Sequence, residues 1–188
     1  MRELASVGTA FTLALLVCGG ARAEVQKFLV NCGGKLCPYF QIIALTPPHG
    51  WVIEARATWH NKIQMMVPKG TDFASAPALI YVQIFFHRDK KQSLADFARV
   101  SNQNWRERVK DAKITELAPV KRANGKPGFL RFAFENPSKA QQAYELGAFG
   151  IDTDKDGNEY VLDVVMTGGD KRTIDRAEKD YVAFLQAH

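Results

Sequence analysis

The sequence predicts an α+β domain, an antiparallel sheet with helices packed on it. Three observations point there. The run 79–87, LIYVQIFFH, is rich in β-branched and aromatic residues and apolar at nearly every position, the pattern of a strand inside a sheet and buried on both faces. Asn124-Gly125 and Asp156-Gly157 each separate two strand-like runs, and both dipeptides favour positive φ in a tight turn. Two apolar stripes at spacings of three and four flank these hairpins, one before and one after. Consecutive strands divided by long helices belong to α+β rather than to alternating α/β domains.

The elements follow in order. Residues 1–23, MRELASVGTAFTLALLVCGGARA, read as a secretory signal: Arg2 at the start, an apolar stretch over 7–17, and Ala21-Arg22-Ala23 as a small-x-small cleavage site before Glu24. The stretch is short of the roughly 18 residues of a membrane span. Cys18 follows the branched Val17, where a lipoprotein signal takes a small residue, so lipidation is not expected. Losing Arg2, Arg22 and Glu3 lowers the net charge from +5 to +4. Such a mildly basic exported chain excludes nucleic acid as its expected partner and suits an acidic or anionic one, or a plainly solvated surface.

An N-terminal arm over 24–46 comes next. It opens with a strand over 25–31 and carries Cys32 and Cys37 in CGGKLC. Export makes a disulfide between them the expectation, and Gly33-Gly34 lets so short a loop bend back. The four-residue spacer differs from a thioredoxin-like redox pair, and two cysteines alone are too few for structural zinc. Residues 40–45 are a strand or a short helix, and Thr46-Pro47-Pro48-His49-Gly50 breaks the chain.

A single domain then spans 47–188. Extended segments are expected over 51–54 and 63–67, the second stopped by Pro68-Lys69-Gly70. After the strand 79–87, Ser93 with Asp96 opens a helix with a capping-box-like start. Its apolar stripe is Leu94, Phe97, Ala98, Ser101, Trp105 and Val109, while Arg99, Gln103, Arg106 and Lys110 form a basic stripe on another face. Two hairpins follow, pairing 113–122 with 129–135 and 141–151 with 159–167. Asp170 or Thr173 caps a last helix whose stripe is Ile174, Ala177, Tyr181, Phe184 and Leu185.

Several of these strings resemble the PsbP-like superfamily: Pro48-His49-Gly50-Trp51, Val67-Pro68-Lys69-Gly70, the strand 79–87, Ser93-Leu94-Ala95-Asp96-Phe97 at the helix start, and the terminal hairpin plus helix. The resemblance covers 47–188. It implies an α/β/α sandwich around an antiparallel sheet and a non-enzymatic binding role. It carries over no catalytic residues, and the cysteine-bearing arm is a departure from it.

The sharpest local chemistry lies in Asp152-Thr153-Asp154-Lys155-Asp156-Gly157-Asn158-Glu159. Carboxylates at alternate positions followed by Gly match the first half of a calcium loop, because calcium takes several oxygens at once. The second half departs from the pattern, with Glu159 at an apolar position and Asp163 where a bidentate Glu belongs. The string is either a hairpin-tip calcium site using Asp152, Asp154 and Asp156 or a polar Asp-Gly turn. His49, His60, His87 and His188 form no ligand-spaced pair, and no Gly-x-Ser-x-Gly elbow is present. Carboxylates such as Glu135 and Glu145 need coordinates before a pairing can be judged. Trp51 and Trp59 flank a polar segment with Arg56, His60 and Lys62, and with Arg99 and Arg106 they are the candidate interface residues, the alternative for each Trp being a place in the core.

The expected function is therefore an exported, periplasmic or secreted, non-enzymatic binding or adaptor protein of the cell envelope. Its partner would be an envelope protein or an anionic surface component, and it would need no cofactor. Two alternatives stand beside it: a calcium-dependent binding module using residues 152–159, and an envelope hydrolase whose site is assembled from residues distant in sequence.

Overall fold

Period-two burial along two hairpins builds the centre of this protein. The computed structural model describes residues 23–89 and 91–188. The expected signal segment, with Cys18, thus falls, but for Ala23, outside the described residues.

Strands β1 (Glu24–Asn31) and β2 (Leu36–Ile43) pair only with each other, as an antiparallel ribbon. The main sheet has seven strands: β3 (Trp51–Ile53), β4 (Gln64–Pro68), β5 (Ala78–Phe86), β6 (Lys113–Val120), β7 (Phe129–Glu135), β8 (Tyr144–Thr153) and β9 (Glu159–Gly168). Their spatial order is β3-β4-β5-β9-β8-β7-β6, antiparallel throughout. Helices α2 (Leu94–Arg108) and α3 (Lys171–Ala187) pack on opposite faces, and the short α1 (Ala55–Asn61) lies beside β4. The α+β expectation with helices on an antiparallel sheet holds.

Alternation along β9 sorts the two layers. Tyr160, Leu162, Val164 and Met166 join Ile174, Tyr181, Phe184 and Leu185 of α3 in the main core. Each fully buried large side chain there contributes about 1.5–3 kcal/mol. The Tyr181 hydroxyl, wholly buried, donates to the Val164 carbonyl at 2.8 Å, which removes the cost of burying it unpaired. Val161 points the other way, into a smaller cluster with Ala98 and Phe149 under α2.

The arm is fastened to the main core. Val25, Ile42 and Leu45 belong to it. The buried Gln64 amide accepts from the Ile42 N–H at 2.6 Å and donates to the Ile42 carbonyl at 2.9 Å, so one side chain mimics a strand partner.

The helix caps act as expected, with one difference. The Asp96 N–H donates to the Ser93 hydroxyl at 3.1 Å, but the Asp96 carboxylate accepts from that hydroxyl, at 2.7 Å, rather than from the Ser93 backbone. Asp170, not Thr173, caps α3, accepting from the Arg172 N–H at 2.9 Å.

Three expectations change. Strand β5 lies inside the sheet, but only Ala78, Ile80 and Val82 are buried. Phe85 and Phe86 emerge at its end, because neither α2 nor the ribbon fully covers that corner. Residues 55–61, read only as a polar segment, form α1. Glu54 caps it through the Ala57 N–H, and Lys62 ends it at φ 56°. Two turns are too few to display an apolar stripe. The loop between β6 and β7 covers 121–128 rather than 123–128, with Gly125 at φ 75° in the left-handed region.

Candidate functional site: a polar pocket under helix α2

Three adjacent strands supply the floor of a cavity of about 160 Å³. The registers Gln83–Asp163–Phe149 and Tyr81–Val165–Gly147 run across β5, β9 and β8, and Glu145 lies one pair further along β8. The pleat puts these side chains on the α2 face. Gly147 is required: a Cβ there would stand 2.9 Å from Cε2 of Phe134, whose ring packs over β8. Ser101, Asn102, Trp105 and Arg108 of α2, spaced to share a face, close the cavity from above.

A hydrogen-bond chain fixes one wall. The Trp105 indole donates to Asn136 Oδ1 at 3.0 Å, and Asn136 Nδ2 donates to the Gln142 carbonyl at 3.0 Å and to Glu145 Oε2 at 3.1 Å. Asn136 is completely buried, so this network determines its orientation. Among the described residues, three oxygens of side chains lining the cavity are sealed from solvent and have no donor: Glu145 Oε1, Asp163 Oδ1 and Asn102 Oδ1. Native interiors pair such atoms almost without exception.

Electrostatics follow from burial. Glu145 is pushed up to about 7 by desolvation, against the pull of the Thr167 hydroxyl on the paired position of β9 and of the hydrogen bond from Asn136. Asp163 is pushed up to about 7 by desolvation first and by the charge on Glu145 second. The Tyr81 phenol is driven far above its ordinary value by burial, with Glu145 and Asp163 adding to it. The arrangement is thus two carboxyl groups that exchange protons near neutrality, ringed by acceptors and aromatic faces. Tyr81 also borders a larger groove of about 990 Å³ on the same sheet face, where α2 leaves β4 and β5 uncovered.

The acidic loop is built differently. Asp152 is buried, with Oδ1 2.5 Å from the Lys126 ammonium and Oδ2 3.5 Å from the Arg122 guanidinium. Asp154 Oδ1 accepts from the Asp156 and Asn158 N–H groups, and Oδ2 accepts from the Asn158 amide and the Tyr160 hydroxyl, all at 2.9 Å. These bonds, that from the Asn158 side chain foremost, hold its carboxyl below the usual range. Asp152 therefore ties β8 to the loop between β6 and β7, and Asp154 closes the turn. Asp156 supplies a backbone donor to that turn. Among the described residues, no three His, Cys, Asp or Glu side chains are grouped to hold a metal ion.

The remaining candidates separate. Cys32 and Cys37 stand as free thiols rather than a disulfide, and hydrogen bonding to Cys32 pushes the Cys37 thiol up. Trp51 is buried in the main core and cannot serve as an exposed anchor. Trp59 is 66% exposed, with the Lys62 ammonium 3.6 Å above its ring. Arg99 and Arg106 are exposed on the outer side of α2, where Arg99 pairs with Asp96 at 3.5 Å. None of Cys32, Cys37, Trp51, Trp59, Arg99 and Arg106 lines the pocket.

Sequence reasoning missed Asp163 and Asn102 as site residues and left Glu145 open. The signal was there: a carboxylate inside an otherwise apolar central strand, as at Asp163, is costly unless something compensates it. No family model matches the chain, and no curated protein matches it either.

Proposed function

We propose that the protein is an exported, non-catalytic binding domain of the cell envelope, PsbP-like in kind, and that it binds its ligand in the pocket between α2 and strands β5, β9 and β8. The observation that carries this reading is the set of three sealed, donorless oxygens on side chains that line one cavity. A bound ligand that supplies donors removes their desolvation cost. The leader-like segment 1–23 and the CGGKLC string support export. In an oxidising compartment Cys32 and Cys37 would close the tip of the ribbon as a disulfide, read out as an intact mass lower by two hydrogens. Trp59 with Lys62, and Arg99 with Arg106, supply exposed surface for an envelope protein or an anionic component.

The test is a thermal-shift screen of small polar compounds on the wild type and on Glu145→Gln. Hits lost in the variant support the pocket. A screen whose hits are indifferent to Glu145→Gln sinks it.

A second reading, acid–base catalysis, is favoured by the two carboxyls poised near 7. Turnover of an ester, amide or glycoside panel with a pH profile abolished by both Glu145→Gln and Asp163→Asn would establish it in place of the first.

A further inference from the structure

We infer that the pocket takes a protonated amine or guanidinium head group carried on a short alkyl chain, with the chain running past Tyr81 into the neighbouring groove. The inference rests on the pocket being a binding site. Its donorless atoms are all acceptors: Glu145 Oε1, Asp163 Oδ1 and Asn102 Oδ1. An ammonium or guanidinium is all donor, and its charge offsets two carboxylates at once. An anion would face both carboxylates, and calcium wants roughly six to eight oxygens, more than this set presents. The walls suit a cation as well, since Trp105, Phe134 and Phe149 present aromatic rings. The face of Trp105 already carries a guanidinium, with Arg108 Cζ 5.1 Å from the ring centre.

Size agrees. A dry cavity of about 150 Å³ admits a benzene-sized guest, and this one is about 160 Å³. That holds a head group and little else. The chain then needs the groove of about 990 Å³, which Tyr81 also borders and whose wall includes Leu79, Phe73 and Pro77.

Binding is coupled to pH. The charged and titratable groups around the two carboxyls are Tyr81 of β5, Arg108 of α2 and, from the opposite face, Tyr181 of α3; β7 contributes the uncharged Phe134. Arg108 borders the cavity but is exposed and donates to the Asn104 carbonyl at 3.4 Å, so the charge a bound cation meets is that of the two carboxyls. A cation favours the ionised carboxyls, so affinity rises with pH through the neutral range and binding releases protons.

The experiment follows the Trp105 indole N–H by NMR in the full chain, because that group is hydrogen-bonded through Asn136 to Glu145. The probes are n-butylammonium, n-butylguanidinium, n-butanol and butyrate, at pH 8.5 and 6.0. The expected result is a saturable shift with the two cations, about tenfold tighter at the higher pH, and weakened at least tenfold by Asp163→Asn. If that variant fails to fold, Glu145→Gln and the wild-type pH comparison decide. Butanol or butyrate binding as tightly as the cations overturns the inference and leaves the pocket reading intact. Silence from all four probes overturns both. Blocked Gly-Arg-Gly and Gly-Lys-Gly peptides that bind about tenfold tighter than the butyl cations assign the head group to a protein side chain; equal affinity assigns it to a free amine.

Discussion

The two faces of the sheet are packed by different rules. On one, α3 sets Ile174, Tyr181, Phe184 and Leu185 into Ile80, Leu162, Val164 and Met166, and the polar atom of Tyr181 finds a carbonyl. On the other, α2 buries only Ala98 and Asn102 completely, and it lies over carboxylates and amides with oxygens left unpaired. The first face holds the protein together. The second gives up stability to keep a polar cavity, as functional sites do.

Four measurements break or sharpen that contrast. The largest effect belongs to the α3 face: Tyr181→Ala removes a wholly buried ring and its hydrogen bond, and costs about 3–5 kcal/mol in denaturant unfolding. A loss under about 1 kcal/mol would mean this face does not dominate stability.

The second effect belongs to the α2 face and has a pH sign. Glu145 and Asp163 titrate near 7 when folded and near their ordinary carboxyl values when unfolded. Between these limits the native state holds more protons than the unfolded state, so stability is full below about pH 4 and falls as pH rises through 7. For Glu145 alone the fall is on the order of 3 kcal/mol. Urea midpoints for Glu145→Gln and Asp163→Asn, measured from pH 5 to 8.5, should cross over the wild type and exceed it at the upper end. A wild-type curve flat across neutrality would refute the raised carboxyls.

Gln64→Ala comes third. It removes both bonds to Ile42 and should cost about 1–2 kcal/mol. Amide exchange at Ile42 should quicken, because the ribbon loses its side-chain clamp. The smallest effect is expected at the acidic loop, where millimolar calcium should leave the melting temperature unchanged. Asp152 already holds two cations and Asp154 four donors. A rise of several degrees would restore the calcium alternative.

These two acidic groups also mark what could be read in advance. Asp152, Asp154 and Asp156 drew attention because they are adjacent in sequence, and folding turned them toward Lys126, Arg122 and their own turn. Glu145 and Asp163 are eighteen positions apart, and only the antiparallel register of β8 with β9 sets them on one face. The helix stripes and the strand 79–87 were legible because periodicity is local. The basic stripe over Arg99 and Arg106 was likewise legible as the outer face of α2. Trp51 drew attention because it flanks a segment carrying Arg56, His60 and Lys62, while its neighbours in space are the main core.

By itself the sequence determined the α+β class, the Ser93 cap and a second cap at Asp170 or Thr173, the order of the hairpins and the apolar stripes of both long helices. Those depend on spacing over a few residues, which the backbone periods of about 3.6 and 2 convert directly into faces. Tertiary structure alone decided that Gln64 would clamp the ribbon, that Trp51 would be core, and that Asn102, Asn136, Glu145 and Asp163 would meet around one cavity. Burial and pairing are properties of what lies across the sheet, and strand register, not adjacency along the chain, selects those neighbours.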